Sequence, residues 1–127
     1  MNDKVQYWLD LSEYDFETAK AMLETKRYLY VGFMCHQVVE KALKAVISSK
    51  DEIPPKMHRL AKLAELGDCY NTMTEEHKDF LDILDPMNIA ARYPENKQKL
   101  AAMLNETVCK DVLEKTGELL CWIKQTL

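Results

Sequence analysis

His36, Glu40 and Lys44 stand four residues apart in "CHQVVEKALKAV", residues 35–46. On a helix they fall within one arc of roughly 80°, flanked by Gln37 and Lys41, while Cys35, Val38, Val39, Ala42, Leu43, Ala45 and Val46 take most of the remaining circumference. A polar line on an otherwise apolar helix must meet water, polar partners or a ligand. The plain reading is a solvated or dimer-facing stripe, because Glu followed by Lys at i+4 is a surface pair worth about 0.3–0.5 kcal/mol. The sharper reading is a binding or chemical site on the same stripe. His36 and Glu40 also have metal-ligand spacing, but no second His or Cys matches them, so no metal and no cofactor is expected.

Asp15 poses a related question. It falls on the stripe of Val5, Trp8, Leu11, Ala19, Met22 and Leu23, where a carboxylate costs several kcal/mol unless it is paired. Lys41, Lys44, His36 and Arg92 are the partners to consider, and either a tether between helices or direct chemistry would account for it. Arg92 and Tyr93 lie in "ARYPE", at a helix break. The following helix start offers free N–H groups, an Arg for phosphate and a Tyr for a base, which suits a nucleotide. Pairing of Arg92 with a carboxylate is the structural alternative. His58 reads as a local cap and His77 as a solvated residue in a charged run. No Gly-rich phosphate loop, nucleophile elbow or Cys–His arrangement is present.

These residues must be positioned by helices. The first is expected from Asn2 or Asp3 to about Lys26 with Asp3 as N-cap, and the second from Tyr28 to Ser49. Pro54 and Pro55 then impose a loop. A short third helix follows in "HRLAKLAELG", with Gly67 as its C′ stop. A fourth starts after Thr74 and should end near Pro86, and a last one should run from Pro94 to the C-terminus. No alternating strand pattern or internal repeat appears. The fold class is all-α, an antiparallel up-and-down bundle of four main helices plus one short helix, forming a single domain over residues 1–127.

Composition fits that reading, with 3 Gly and 4 Pro in 127 residues and 30% charged residues, which favours a folded helical chain. The net charge of −4 argues against a large basic nucleic-acid surface and leaves room for a small basic pocket. Cys35, Cys69, Cys109 and Cys121 include no C-x-x-C pair, so buried reduced thiols in a cytoplasmic protein are expected. The N-terminus has no signal-peptide core, and no stretch approaches the roughly 18 apolar residues that span a bilayer. The apolar girth of the second helix exceeds what a monomeric bundle usually requires, which predicts a homodimer.

Four segments in order resemble HEPN domains, the higher eukaryotes and prokaryotes nucleotide-binding domains. "YWLDLSEYDFETAKAML" resembles their opening helix, with Asp15 at its usual acidic position. "YVGFMCHQVVEKALKAVI" resembles their second helix, and "PPKMHRLAKLAEL" the T-H-x-L-x-x-L start of their third, although Met57 stands where Thr is frequent. "ARYPE" resembles the R-Y-P-D/E segment before their last helix. The resemblance implies a helical bundle, usually a homodimer, that binds nucleotide or RNA beside a minimal nucleotidyltransferase in toxin–antitoxin pairs. His36, Glu40, Lys41 and Lys44 would then line a polar groove or the dimer seam, with Asp15 and Arg92 nearby. Ribonuclease members carry Arg followed after four to six residues by His. The only arginines here are Arg27, Arg59 and Arg92, and none has a His at that spacing. Binding therefore ranks above catalysis, with a ribonuclease using an atypical His36–Arg92 pair, or a structural dimer or adaptor, as the alternatives.

Overall fold

The computed structural model describes residues 2–90 and 93–127, without the side chains of residues 89, 90, 94 and 96. The first helix, α1 (Asp3–Glu24), is capped one residue earlier than expected: Asn2, not Asp3, accepts the Val5 N–H at 2.8 Å. Its end is a Schellman turn, with Arg27 N–H on Met22 C=O and Lys26 N–H on Leu23 C=O. Lys26 holds the left-handed conformation at φ 61° that glycine usually fills. That reversal sends α2 (Tyr28–Ser48) back along α1, with Val5 and Leu9 packed against Ala45.

α2 touches every other helix. Its apolar girth, read above as surface for a partner copy, is therefore covered within one chain. The loop through Pro54 and Pro55 leads to α3 (Leu60–Leu66). Gly67 is the C-cap of α3 at an ordinary φ of −83°, and Asp68, at φ 58°, is the left-handed C′ residue that Gly67 was expected to be. One 3-10 turn at Tyr70–Thr72 follows. Thr74 Oγ1 then accepts the His77 N–H at 3.1 Å, opening α4 (Glu75–Ala90).

Two expected boundaries are corrected here. α4 does not stop at Pro86 but runs through it. Pro86 and Asp82, whose carbonyl loses its helical donor, both lie on the exposed side, while Met87 and Asn88 are buried on the next turn. Burial of that turn outweighs the missing bond. The last expected helix is two, α5 (Pro94–Met103) and α6 (Glu106–Gln125). Leu104 is extended and buried at the break, and Asn105 caps α6 by accepting the Val108 N–H at 2.9 Å. Asn competes with helix continuation by making that local bond. Among the described residues the fold is therefore six α-helices with no strand, rather than four main helices and one short one.

The core is built from Leu43 and Ile47 of α2, Leu60 and Leu63 of α3, Leu81 and Leu84 of α4, and Leu119 and Ile123 of α6, all fully buried. Two glycines leave room for side chains of neighbouring helices. A Cβ on Gly32 would lie 2.9 Å from Met87 Sδ, and one on Gly117 would lie 2.9 Å from Phe16 Cζ. Among the described residues, no helix is long and apolar enough to cross a membrane.

Candidate functional site

The polar line of α2 does not face water. His36 is fully buried, Glu40 is 4% exposed and Lys44 7%, which removes the solvated reading of the stripe. Three segments supply the burial: α1, the loop before α3, and α4.

Glu40 is the centre. Its Oε2 accepts from Lys44 Nζ at 3.1 Å, and its Oε1 lies 2.8 Å from His58 Nδ1. Since a carboxylate only accepts, His58 donates from Nδ1–H. His36 Nε2 lies 3.3 Å from Asp85 Oδ1, so the same argument makes that nitrogen a donor. Its other nitrogen faces Glu40 Oε1 at 3.8 Å and makes no hydrogen bond. Asp85 Oδ1 also accepts the Leu60 N–H at 3.2 Å, satisfying a free donor at the start of α3. One turn along, Gln37 Nε2 donates to Asn88 Oδ1 at 3.4 Å. Lys44 Nζ stands 5.5 Å from the Trp8 ring centroid, a cation–π contact that ties α1 to the same array.

Asp15 has a cationic partner, as its burial requires. Lys41 Nζ donates to Asp15 Oδ2, and Ser12 Oγ donates to the Val38 carbonyl at 2.7 Å beside it. This pair joins α1 to α2 separately from the Glu40 array. The structure thus brings His36, Glu40 and Lys44 into one network and sets Asp15 and Lys41 apart as a second. Tyr93, at the N-cap of α5, is about half exposed and hydrogen-bonds to neither. Arg92 lies outside the described residues.

Two members of the network were not read from sequence. His58, taken as a local cap, instead reaches Glu40. Asp85 follows Leu81 and Leu84 and precedes Asn88, a spacing that puts a carboxylate on the buried face of α4 and was a legible signal. His77, taken as solvated, is half-buried and packs on Trp122 with ring centroids 4.9 Å apart.

Chemically, the array is a clamp. Both lysines of the stripe already hold carboxylates, so neither presents an unpaired charge to an incoming anion. The buried imidazole of His36 has no open route to an RNA 2′-hydroxyl, which removes the geometric basis for His36 as a ribonuclease base. Among the described residues, no group of three or more His, Cys, Asp or Glu is arranged to hold a metal ion.

The fold has a counterpart among known proteins. The HEPN domain model matches residues 5–126. The chain belongs to the HEPN domain family. This HEPN domain also superposes on the crystal structure of TT1696 from Thermus thermophilus with a TM-score of 0.83, covering 99% of this chain and 100% of that one at 19% identity. That likeness is one of fold. Comparison with curated proteins finds no match. In this HEPN domain α2 is the helix that carries His36, Glu40 and Lys44, and these residues face inward.

Proposed function

We propose that this HEPN domain is a nucleotide- or RNA-binding helical module that works as a cytoplasmic homodimer with a minimal nucleotidyltransferase partner, in a toxin–antitoxin-like pair. Membership of the family over residues 5–126 is the observation that carries it. In this reading Arg92 holds a phosphate and Tyr93, half exposed where α5 opens, stacks on or caps the base. Lys41 is the accessible cation of the stripe and turns from Asp15 toward the phosphate, while His36, Glu40 and Lys44 hold the floor of the groove.

The test is titration of ATP and of a short labelled RNA into the purified protein at several salt concentrations. Binding should weaken with salt, by a slope of about −0.7 per phosphate contact on a single strand. Arg92→Ala should weaken it about tenfold or more with the fold intact. The RNA should stay uncleaved, and sedimentation should show a species of twice the chain mass. Cleavage that His36→Ala abolishes in a folded protein would promote the nuclease reading. Failure to bind nucleotide, RNA and nucleotidyltransferase alike would leave the structural reading, which the internal pairing of Lys41 and Lys44 favours: a polar stripe that fixes helix register.

A further inference from the structure

The outer face of α1 carries side chains that the bundle does not use. Asp3, Tyr7, Asp10, Tyr14 and Glu17 alternate four and three residues apart, so they follow one stripe, and all are exposed. The stripe lies opposite Val5, Leu9, Ser12 and Ala19, the buried side of the helix. Tyr7 is 58% exposed and Tyr14 73%. Large amphipathic rings in register on a solvent-facing helix are the composition of an interface centre, where Tyr is enriched and dominates binding energy.

The stripe continues into a cleft. Tyr7 and Trp8 meet edge to face with centroids 5.2 Å apart, and with Ile53 and Pro54 of the loop before α3 they wall an apolar notch of about 460 Å³. Ile53, on its rim, is 86% exposed. Further along, Asp10, Tyr14 and Glu17 line a shallow groove of about 520 Å³. An apolar notch therefore leads into tyrosines set between carboxylates.

Charge selects the occupant. Along this surface Asp3, Asp10, Glu13, Glu17 and Glu52 stand against Lys4, with Lys20 bonded to Glu17 at 3.1 Å and Lys124 paired with Glu13, so the carboxylates are in excess. Phosphate is repelled there. A second copy laid antiparallel about Asp10 would set Asp10 against Asp10 and Asp3 against Glu17, like-charge pairs at the centre and near both ends of the stripe. We propose that this face docks a cationic amphipathic helix of another protein, with an apolar side chain in the Tyr7–Trp8–Ile53–Pro54 notch and Lys or Arg side chains over Tyr14 and against Asp3 and Asp10. The assignment is independent of the nucleotide reading, because Arg92 and Tyr93 take no part in it.

Trp8 and Trp122 are the two indoles of the chain, so in full-length Trp122→Phe protein Trp8 alone reports on the notch. The probe is a Trp-free helical peptide of about 15 residues, the length of the stripe, with Leu anchors flanked by Lys and Arg. It should change Trp8 emission saturably and less so at high salt. Tyr7→Ser with Tyr14→Ser, in protein whose helical circular dichroism is unchanged, should weaken binding about tenfold or more. The same peptide with Glu for each Lys and Arg should not bind, and Arg92→Ala should leave the titration unaltered. An unresponsive Trp8, equal binding by the double variant, or equal binding of the Glu peptide would overturn the proposal. So would a short RNA that binds at Trp8, or self-association abolished by Tyr14→Arg, which would assign the face to nucleic acid or to a second copy.

Discussion

Glu40 serves two partners at once. It neutralises Lys44, which is 7% exposed, and it accepts from His58 in a loop 18 residues away. Removing one partner of a buried pair leaves an uncompensated charge, so Glu40→Ala should cost about 3–5 kcal/mol. Asp15→Ala should cost less, about 1–2 kcal/mol, because Lys41 is partly exposed and can turn to water. Urea unfolding of the two variants checks the order, and an Asp15 variant at least as damaged as the Glu40 one would refute it. The need for a partner at Asp15 was legible in the sequence, since a carboxylate on an apolar stripe admits little else. Which cation would serve was not, because Lys41, Lys44 and His36 differ only in how α1 sits across α2. Burial of the Glu40 stripe was also hidden: a Glu–Lys step at i+4 looks the same on a surface, and its decisive partners, His58 and Asp85, lie in other segments.

At the scale of elements, periodicity located the helices and local chemistry decided their ends. The starts of α2 and α4 followed from apolar spacing and from Thr74. Pro86 misled because an isolated proline argues for a stop, whereas here its missing bond falls on the exposed side and the next turn is anchored by Met87 and Asn88. At Asn105 the apolar pattern carries on and hides the break, although Asn before an acidic residue is an N-cap signature. Its side chain bonds Val108 N, so Asn105→Ala should cost about 1 kcal/mol. At the end of α1 the expected sign reverses. Lys26 sits at φ 61°, and Lys26→Gly should stabilise by about 0.5–1 kcal/mol by relieving the left-handed strain. Thermal midpoints moving in the same direction for both variants would contradict this account of the two helix ends.

For the molecule as a whole, three thiols link the core to pH. Burial pushes Cys35 up from its ordinary 9.0 to about 12, against a smaller opposing hydrogen bond from Thr116, and pushes Cys69 and Cys109 up to about 11. Cys121 is exposed. At pH 8 a water-soluble thiol reagent should therefore modify Cys121 in the folded protein and reach the other three only on unfolding. The same burial sets the direction of alkaline stability. Above pH 9 the unfolded chain releases its thiol protons while the folded chain keeps them, so the contribution of these groups is fully present below pH 9 and is lost as pH rises toward 11 for Cys69 and Cys109 and toward 12 for Cys35. Each thiol adds about 1.4 kcal/mol per pH unit to the decline within its window. Tyrosines and lysines also titrate there, so the comparison that isolates one thiol is Cys35→Ala against the parent chain. The variant should be less stable at pH 8, from the cavity it creates, but its stability should fall less steeply between pH 9 and 11. Denaturant midpoints across that range give both quantities, and a Cys35→Ala slope equal to that of the parent would mean that the buried thiol ionises as readily in the folded chain as in the unfolded one.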